Sequence, residues 1–257
     1  MDNYPNFYIL PVDEMIKEEK KMNWLIKGMI PFNGISMIFG ESGVGKSFVA
    51  VDIACRVSLG LSFNKRNISC GKVLYLAGEG NSGLSMRFKA WSKLNNVHSL
   101  PNLYVSSEAI DLDSDDSINA IIQRTMLENE NKYVLIIIDT LNNHMSGDEN
   151  SAMDTRNFVG KCKKLSNVLG GTIMFVHHLG HNASDRSRGS SAWKATLDSS
   201  FLLKKGDGNE IVLSCTKLKD GPLIREITGR IVNVDLGYKD SDNEPVIAGA
   251  FSILRGR

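Results

Sequence analysis

Paired cysteines, a surplus of positive charge and long apolar runs are all missing from this chain. Its four cysteines, Cys55, Cys70, Cys162 and Cys215, stand far apart with no paired spacing. That points to reduced core thiols and removes the thiolate half of most zinc sites. Lysine plus arginine number 30 against 29 for aspartate plus glutamate, so no general positive field draws the protein to nucleic acid or to an anionic membrane. Any DNA contact has to be local. The longest apolar runs, such as Val134 to Ile138, fall far short of the roughly 20 residues a membrane helix needs. The opening MDNYPNFYIL lacks the basic-then-apolar layout of a signal peptide. The expectation is a cytoplasmic protein with no membrane partner. Histidine is scarce too, yet three of the five fall within MFVHHLGHN, residues 174–182, which raises the question of a metal site.

What is present reads as one globular unit. A chain of 257 residues, 42% apolar and 23% charged, is long enough for one sizeable core. Residues 1–23 are expected to form an arm, with a short charged surface helix in PVDEMIKEEKKMN, and residues 24–257 the domain. From Ile35 onward, apolar runs of strand length (ISMIF, KVLYLA, NLYV, YVLIII, TIMFVHH) alternate with segments of helical period. That alternation predicts an α/β fold, a mainly parallel sheet flanked by helices on both faces. After Ser190 the pattern changes to SSFLLKK, EIVLSCTKL, LIREITGRIVNV and VIAGAFSIL, separated by turns such as Gly206-Asp207-Gly208-Asn209. These predict antiparallel C-terminal strands extending the sheet.

Gly40-Glu41-Ser42-Gly43-Val44-Gly45-Lys46-Ser47 fits the P-loop pattern between an apolar strand and a helix. Glycines let backbone N–H groups wrap a phosphate, and the helix points its positive end at the anion. Lys46 reaches the β and γ phosphates, and Ser47 supplies a magnesium ligand. ATP and Mg²⁺ are the expected cofactors. In an open parallel sheet the ligand lies beyond the carboxyl ends of the strands, so the polar residues closing the other apolar runs are candidates for the same site. Glu79 follows VLYLAG and has the character of a base that polarises the attacking water. Asp139 closes YVLIIID and looks like the Walker-B aspartate of the magnesium shell. His177 and His178 close TIMFVHH.

These residues resemble the RecA-like P-loop ATPases, AAA family ATPases in the broad sense, and among them the hexameric replicative helicases of the plasmid RepA type. The resemblance rests on the P-loop, LAGEGN, IIIDTLNNH with its continuation GDEN, FVHH, RGSS and TKLKDGP, in that order from about residue 25 to 230. It implies that His178 senses the γ-phosphate and passes its presence to the loop that follows. His177, its strand neighbour, points to the other face and packs. The loop LGHNASDRSRGSSAWKAT carries Arg186, Arg188 and Lys194. Similar loops line the channel of a ring and hold the backbone of single-stranded DNA by charge. The resemblance further implies a homo-hexamer in which Lys217 and Lys219 of one subunit reach the nucleotide of the next. Many relatives have arginine at the second of these places. An arginine that RepA-type helicases carry after RGSS is absent, with Asp198 nearby. Arg87, on the helix after Glu79, is a further candidate for phosphate or interface work.

Three classes of function remain open on the sequence. The first is an ATP-driven ring that translocates on single-stranded DNA as a replicative helicase of a plasmid, phage or mobile element. The second is a RecA-like recombination mediator or regulatory ATPase without unwinding activity. The third is a small P-loop kinase or GTPase. For that third class Thr216-Lys217-Leu218-Lys219 has lysine where a guanine-specific signature needs aspartate, and only the segment around Arg186 and Arg188 would serve as a lid.

Overall fold

The protein is described here by a computed structural model over residues 9–17, 22–78, 81–128, 132–178 and 191–254. Of the sequence-predicted site residues, Glu79, Arg186 and Arg188 lie outside these. Helix α1 (Val12–Met15) is short and buries none of its side chains. A small hairpin of β1 (Trp24–Ile26) and β2 (Ile30–Pro31) then leads into β3 (Ile35–Gly40), α2 (Lys46–Leu59), β4 (Lys72–Ala77) and α3 (Asn81–Leu94). Next come β5 (Leu103–Val105), α4 (Asp115–Glu128), β6 (Tyr133–Asp139), α5 (Ala152–Leu169) and β7 (Thr172–His178). The C-terminal part holds α6 (Ser191–Thr196), β8 (Ser199–Lys205), β9 (Glu210–Leu218), β10 (Ile227–Lys239) and β11 (Pro245–Ile253).

The main sheet has the order β11-β10-β9-β8-β3-β7-β6-β4-β5. Strands β8, β3, β7, β6, β4 and β5 run parallel; β9, β10 and β11 continue the sheet antiparallel. This is the architecture the alternation predicts. Because the side-chain period of a strand is two, each apolar run feeds two cores. Ile38, Tyr75, Ile137, Met174 and Val176 pack with α2 and α3 on one face. Met37, Leu76, Ile138, Ile173 and Phe175 pack with α4 and α5 on the other. The same alternation sets which of the strand-end polar residues meet at the P-loop. Asp139 and His178 continue the face of Ile137 and Val176, whereas His177 continues the face of Phe175.

Local signals explain where the helices begin and end. Ser151 caps α5 by accepting from Asp154 N at 3.3 Å, and Gly60 closes α2 in the left-handed conformation at φ 71°. Two expectations need correction. Cys55, Cys162 and Cys215 are buried thiols, but Cys70 is exposed, because it sits in the connection before β4 rather than on an element facing a core. The segment read as LIREITGRIVNV enters the sheet only at Ile227; before it, Glu226 is tied by the Ser214 hydroxyl instead of by ladder bonds. Among the described residues no helix is long and apolar enough to cross a membrane.

One buried ionic group joins the two helices that carry the site. Asp52 on α2 is fully buried and takes Arg56 Nε at 2.8 and 2.9 Å and Trp91 Nε1 of α3 at 2.6 Å. Burial pushes its carboxyl above the usual range, against the pull of Arg56 and the indole. Removing Asp52 leaves the buried Trp91 indole without its acceptor and Arg56, whose side chain is 17% exposed and still donates to Ser62 O, without its counter-charge, so Asp52→Ala is expected to lower the unfolding free energy by about 3 kcal/mol. The urea midpoint measures it; a shift worth under ~1 kcal/mol, the range of an exposed pair, would assign the group to the surface in energetic terms.

Candidate functional site

The P-loop lies at the carboxyl end of β3, whose six residues are all buried. Its glycines meet two different demands. A Cβ on Gly40 would stand 2.3 Å from the Leu203 carbonyl of the neighbouring strand β8, so close approach of the backbone excludes any side chain. Gly43 has φ +74° and nothing within 4 Å, so conformation alone requires glycine and the loop stays open where a phosphate would rest. Lys46 is 4% exposed. Its Nζ donates to Gly40 O at 3.1 Å and Glu41 O at 2.8 Å, and lies 3.1 Å from His178 Nδ1. A lysine ammonium only donates, so Nδ1 accepts and the neutral imidazole carries its proton on Nε2.

Asp139 closes β6 two strands from β3 and is 7% exposed. Its Oδ1 accepts from Ser47 Oγ at 3.2 Å, and its Oδ2 accepts from the Tyr75 hydroxyl. Burial and the adjacent Asp139 charge push the Tyr75 phenol well above its ordinary range, so the phenol stays a donor. A cavity of about 340 Å³ opens here, lined by Ser47, Tyr75, Ser82, Arg87 and Asp139 among others. Hydroxyl and carboxylate oxygens at its floor are the hard donors that magnesium selects. Arg87 holds its guanidinium 4.7 Å from the Phe48 ring centroid, which places a positive charge at the same cavity. Tyr75 was not singled out from the sequence. The available signal was a phenol inside the apolar run KVLYLA, since a buried tyrosine hydroxyl usually finds a partner.

Glu79 lies outside the described residues, but its approach is defined. Gly78 N donates to Asp139 O at 2.6 Å and Gly78 O accepts from Asn143 Nδ2 at 3.0 Å, so the chain leaves β4 beside Asp139. Behind this turn His144 is fully buried, with Nδ1 2.7 Å from Ile110 O, and burial holds its imidazole below the ordinary range.

Of the three clustered histidines, His181 lies outside the described residues and the other two face apart. His178 lies against Lys46, and His177, 1% exposed, lies against Trp193 with Glu149 4.0 Å away. Among the described residues no group of three His, Cys, Asp or Glu side chains could hold a metal. Trp193, on the helix after the candidate DNA loop, is fully buried among Phe158, Phe175 and His177 and donates to Glu149 O at 3.2 Å. Lys194 beside it is exposed.

Lys217 and Lys219 stand elsewhere. Lys217 pairs with Ser200, which pairs with Met37, whereas the P-loop begins at the level of Gly40 and Leu203. Three residues back along the strand is about 10 Å, and two strands across is about another 10 Å. Lys217 is therefore beyond reach of its own P-loop. Its Nζ donates to Lys194 O at 2.7 Å, and Lys219 Nζ lies 3.6 Å from Asp198 Oδ1 with its side chain 62% exposed.

The family model described as the AAA domain matches residues 5–184, well over half of the chain. The chain belongs to the AAA domain family. Its fold is similar to the solved ATPase domain of G40P, with a TM-score of 0.62 and 12% sequence identity, covering 86% of this chain and 92% of that one. At this identity the likeness concerns the fold, which is that of the RecA-like P-loop ATPases. Altogether 663 solved chains match the fold, so the architecture does not choose one activity for this AAA domain. No curated protein matches in sequence.

Proposed function

We propose that this AAA domain protein is an ATP-driven motor that assembles as a ring, of the plasmid RepA type, and moves on single-stranded DNA in the cytosol as a replicative helicase. The observation that carries the ring is the position of Lys217, which shares the main sheet with the P-loop yet lies beyond reach of it. A lysine pair at that place serves the nucleotide of a neighbouring subunit or none.

Within one subunit, the geometry supports the following division of roles. The P-loop amides and Lys46 hold the phosphates, Ser47 and Asp139 hold magnesium, and Arg87 adds positive charge on the metal side of the cavity. Magnesium would supply charge neutralisation across the β and γ phosphates. Glu79, which follows the described Gly78 in sequence, is assigned the attacking water. A γ-phosphate competes for Lys46 with the Gly40 and Glu41 carbonyls and with His178. His178 thus exchanges a lysine partner for a phosphate partner when ATP arrives. The segment that follows His178 in sequence carries Arg186 and Arg188 and precedes the helix anchored by Trp193. Lys217 is bonded to the backbone of Lys194 on that helix, so DNA on the loop and the lysine offered to the neighbour share one mechanical root.

The test is steady-state ATP hydrolysis with and without single-stranded DNA, with Lys46→Ala as the blank, beside mass measurement with an ATP analogue. The expected result is a hexamer whose hydrolysis rises at least tenfold on DNA, and strand displacement on a forked duplex. Hydrolysis and assembly that ignore DNA would leave a regulatory ATPase instead, and a DNA-stimulated ring that displaces no strand would leave a recombination mediator.

A further inference from the structure

Asp139 spends both carboxylate oxygens on hydroxyl groups, one from Ser47 and one from Tyr75. The second contact is built into the sheet. Tyr75 on β4 pairs with Ile137, and Ala77 pairs with Asp139, so the phenol reaches diagonally across one face to the neighbouring strand. Tyr75 is 0% exposed, and Phe88 of α3 holds its ring edge to face at 5.9 Å between centroids. A carboxylate anchored through one oxygen turns broadly about its last torsion; one anchored through both does not. With its proton given to Asp139 Oδ1, Ser47 keeps its oxygen lone pairs for a ligand in the cavity that it lines with Arg87 and Asp139. A metal ligand needs that orientation.

We propose that Tyr75 is a positioning residue: it locks the Asp139 carboxylate, and through it the Ser47 hydroxyl, in the orientation that receives magnesium. This inference rests on reading the site as one for magnesium and nucleotide. Positioning partners of this kind typically change metal affinity by about 10–100-fold when removed. The competing account is that Tyr75 fills the core and its hydroxyl merely rests on the nearest carboxylate.

The experiment measures binding of a fluorescent, non-hydrolysable ATP analogue to the full chain as MgCl₂ is titrated, for the parent, Tyr75→Phe, Asp139→Asn and the double variant. Phenylalanine keeps the ring and its packing on Phe88, and a thermal melt checks each fold. For Tyr75→Phe the expected result is unchanged metal-free affinity and a rise of about tenfold in the magnesium concentration giving half of the tightening. In the Asp139→Asn background the same change adds nothing, since the hydroxyl acts through the carboxylate. A Tyr75→Phe curve that overlays the parent overturns the inference, and so does an equal shift in both backgrounds, which would assign the effect to packing. A parent whose nucleotide affinity ignores magnesium overturns the reading of the site itself and this inference with it, whereas a magnesium-dependent parent with an unmoved variant sinks only the role of Tyr75.

Discussion

Lys217→Ala is expected to reduce DNA-stimulated ATP hydrolysis roughly a thousandfold while nucleotide affinity stays near that of the parent. The size follows from what a cation supplied across an interface does in phosphoryl transfer, where it acts on charge that develops only in the transition state. Unchanged affinity follows from the geometry: Lys217 is bonded to Lys194 O and lies beyond reach of its own P-loop. The decisive form of the test mixes two inactive proteins. Lys46→Ala retains the lysine pair and lacks a working P-loop; Lys217→Ala retains the P-loop and lacks the lysine. In a head-to-tail ring of equal parts, about a quarter of the interfaces join a good P-loop to a good lysine. The mixture should hydrolyse ATP although neither component does. A mixture as dead as its parts would place the role of Lys217 within its own subunit, in its bond to Lys194. Lys219→Ala is expected to show a smaller loss, because Lys219 is exposed and already engaged with Asp198.

How much of this was legible without coordinates differs from feature to feature. The P-loop and Asp139 were, because glycine spacing and a carboxylate ending five apolar residues are local patterns that the parallel sheet brings together. The choice of His178 came from the family resemblance, and strand alternation added only that His177 faces the other way; the structure places the two side chains on opposite faces of β7, one with Lys46 and one with Trp193. Helix α6 was not legible: six residues make too few internal bonds to signal a helix, and its position comes from the burial of Trp193. The β1–β2 hairpin was missed for a similar reason, since strands of three and two residues, one containing Pro31, show no period. Tyr75 was hidden because a phenol inside an apolar run looks like core until its partner, 64 residues away, is known. The features that escaped are therefore those whose reason lies in a tertiary contact rather than in a local spacing.

His178→Ala is expected to lower DNA-stimulated hydrolysis roughly a hundredfold, the usual size for losing one preorganised donor at developing charge, while His178→Gln keeps most of the rate. The difference between the two substitutions carries the meaning. With Nδ1 accepting from Lys46 at 3.1 Å, the neutral ring both accepts from the lysine and offers a donor on Nε2. A glutamine amide does both as well; alanine does neither. If His178 only packed the end of β7, alanine would cost stability and glutamine would rescue nothing in the rate. If it acted by charge, as an imidazolium, glutamine would fail as alanine does. Rates of the three proteins with and without single-stranded DNA separate the three accounts. The same comparison reports on coupling. Glutamine restoring basal but not DNA-stimulated hydrolysis would show that the imidazole does more than meet the phosphate, passing its position to the segment that follows it in sequence.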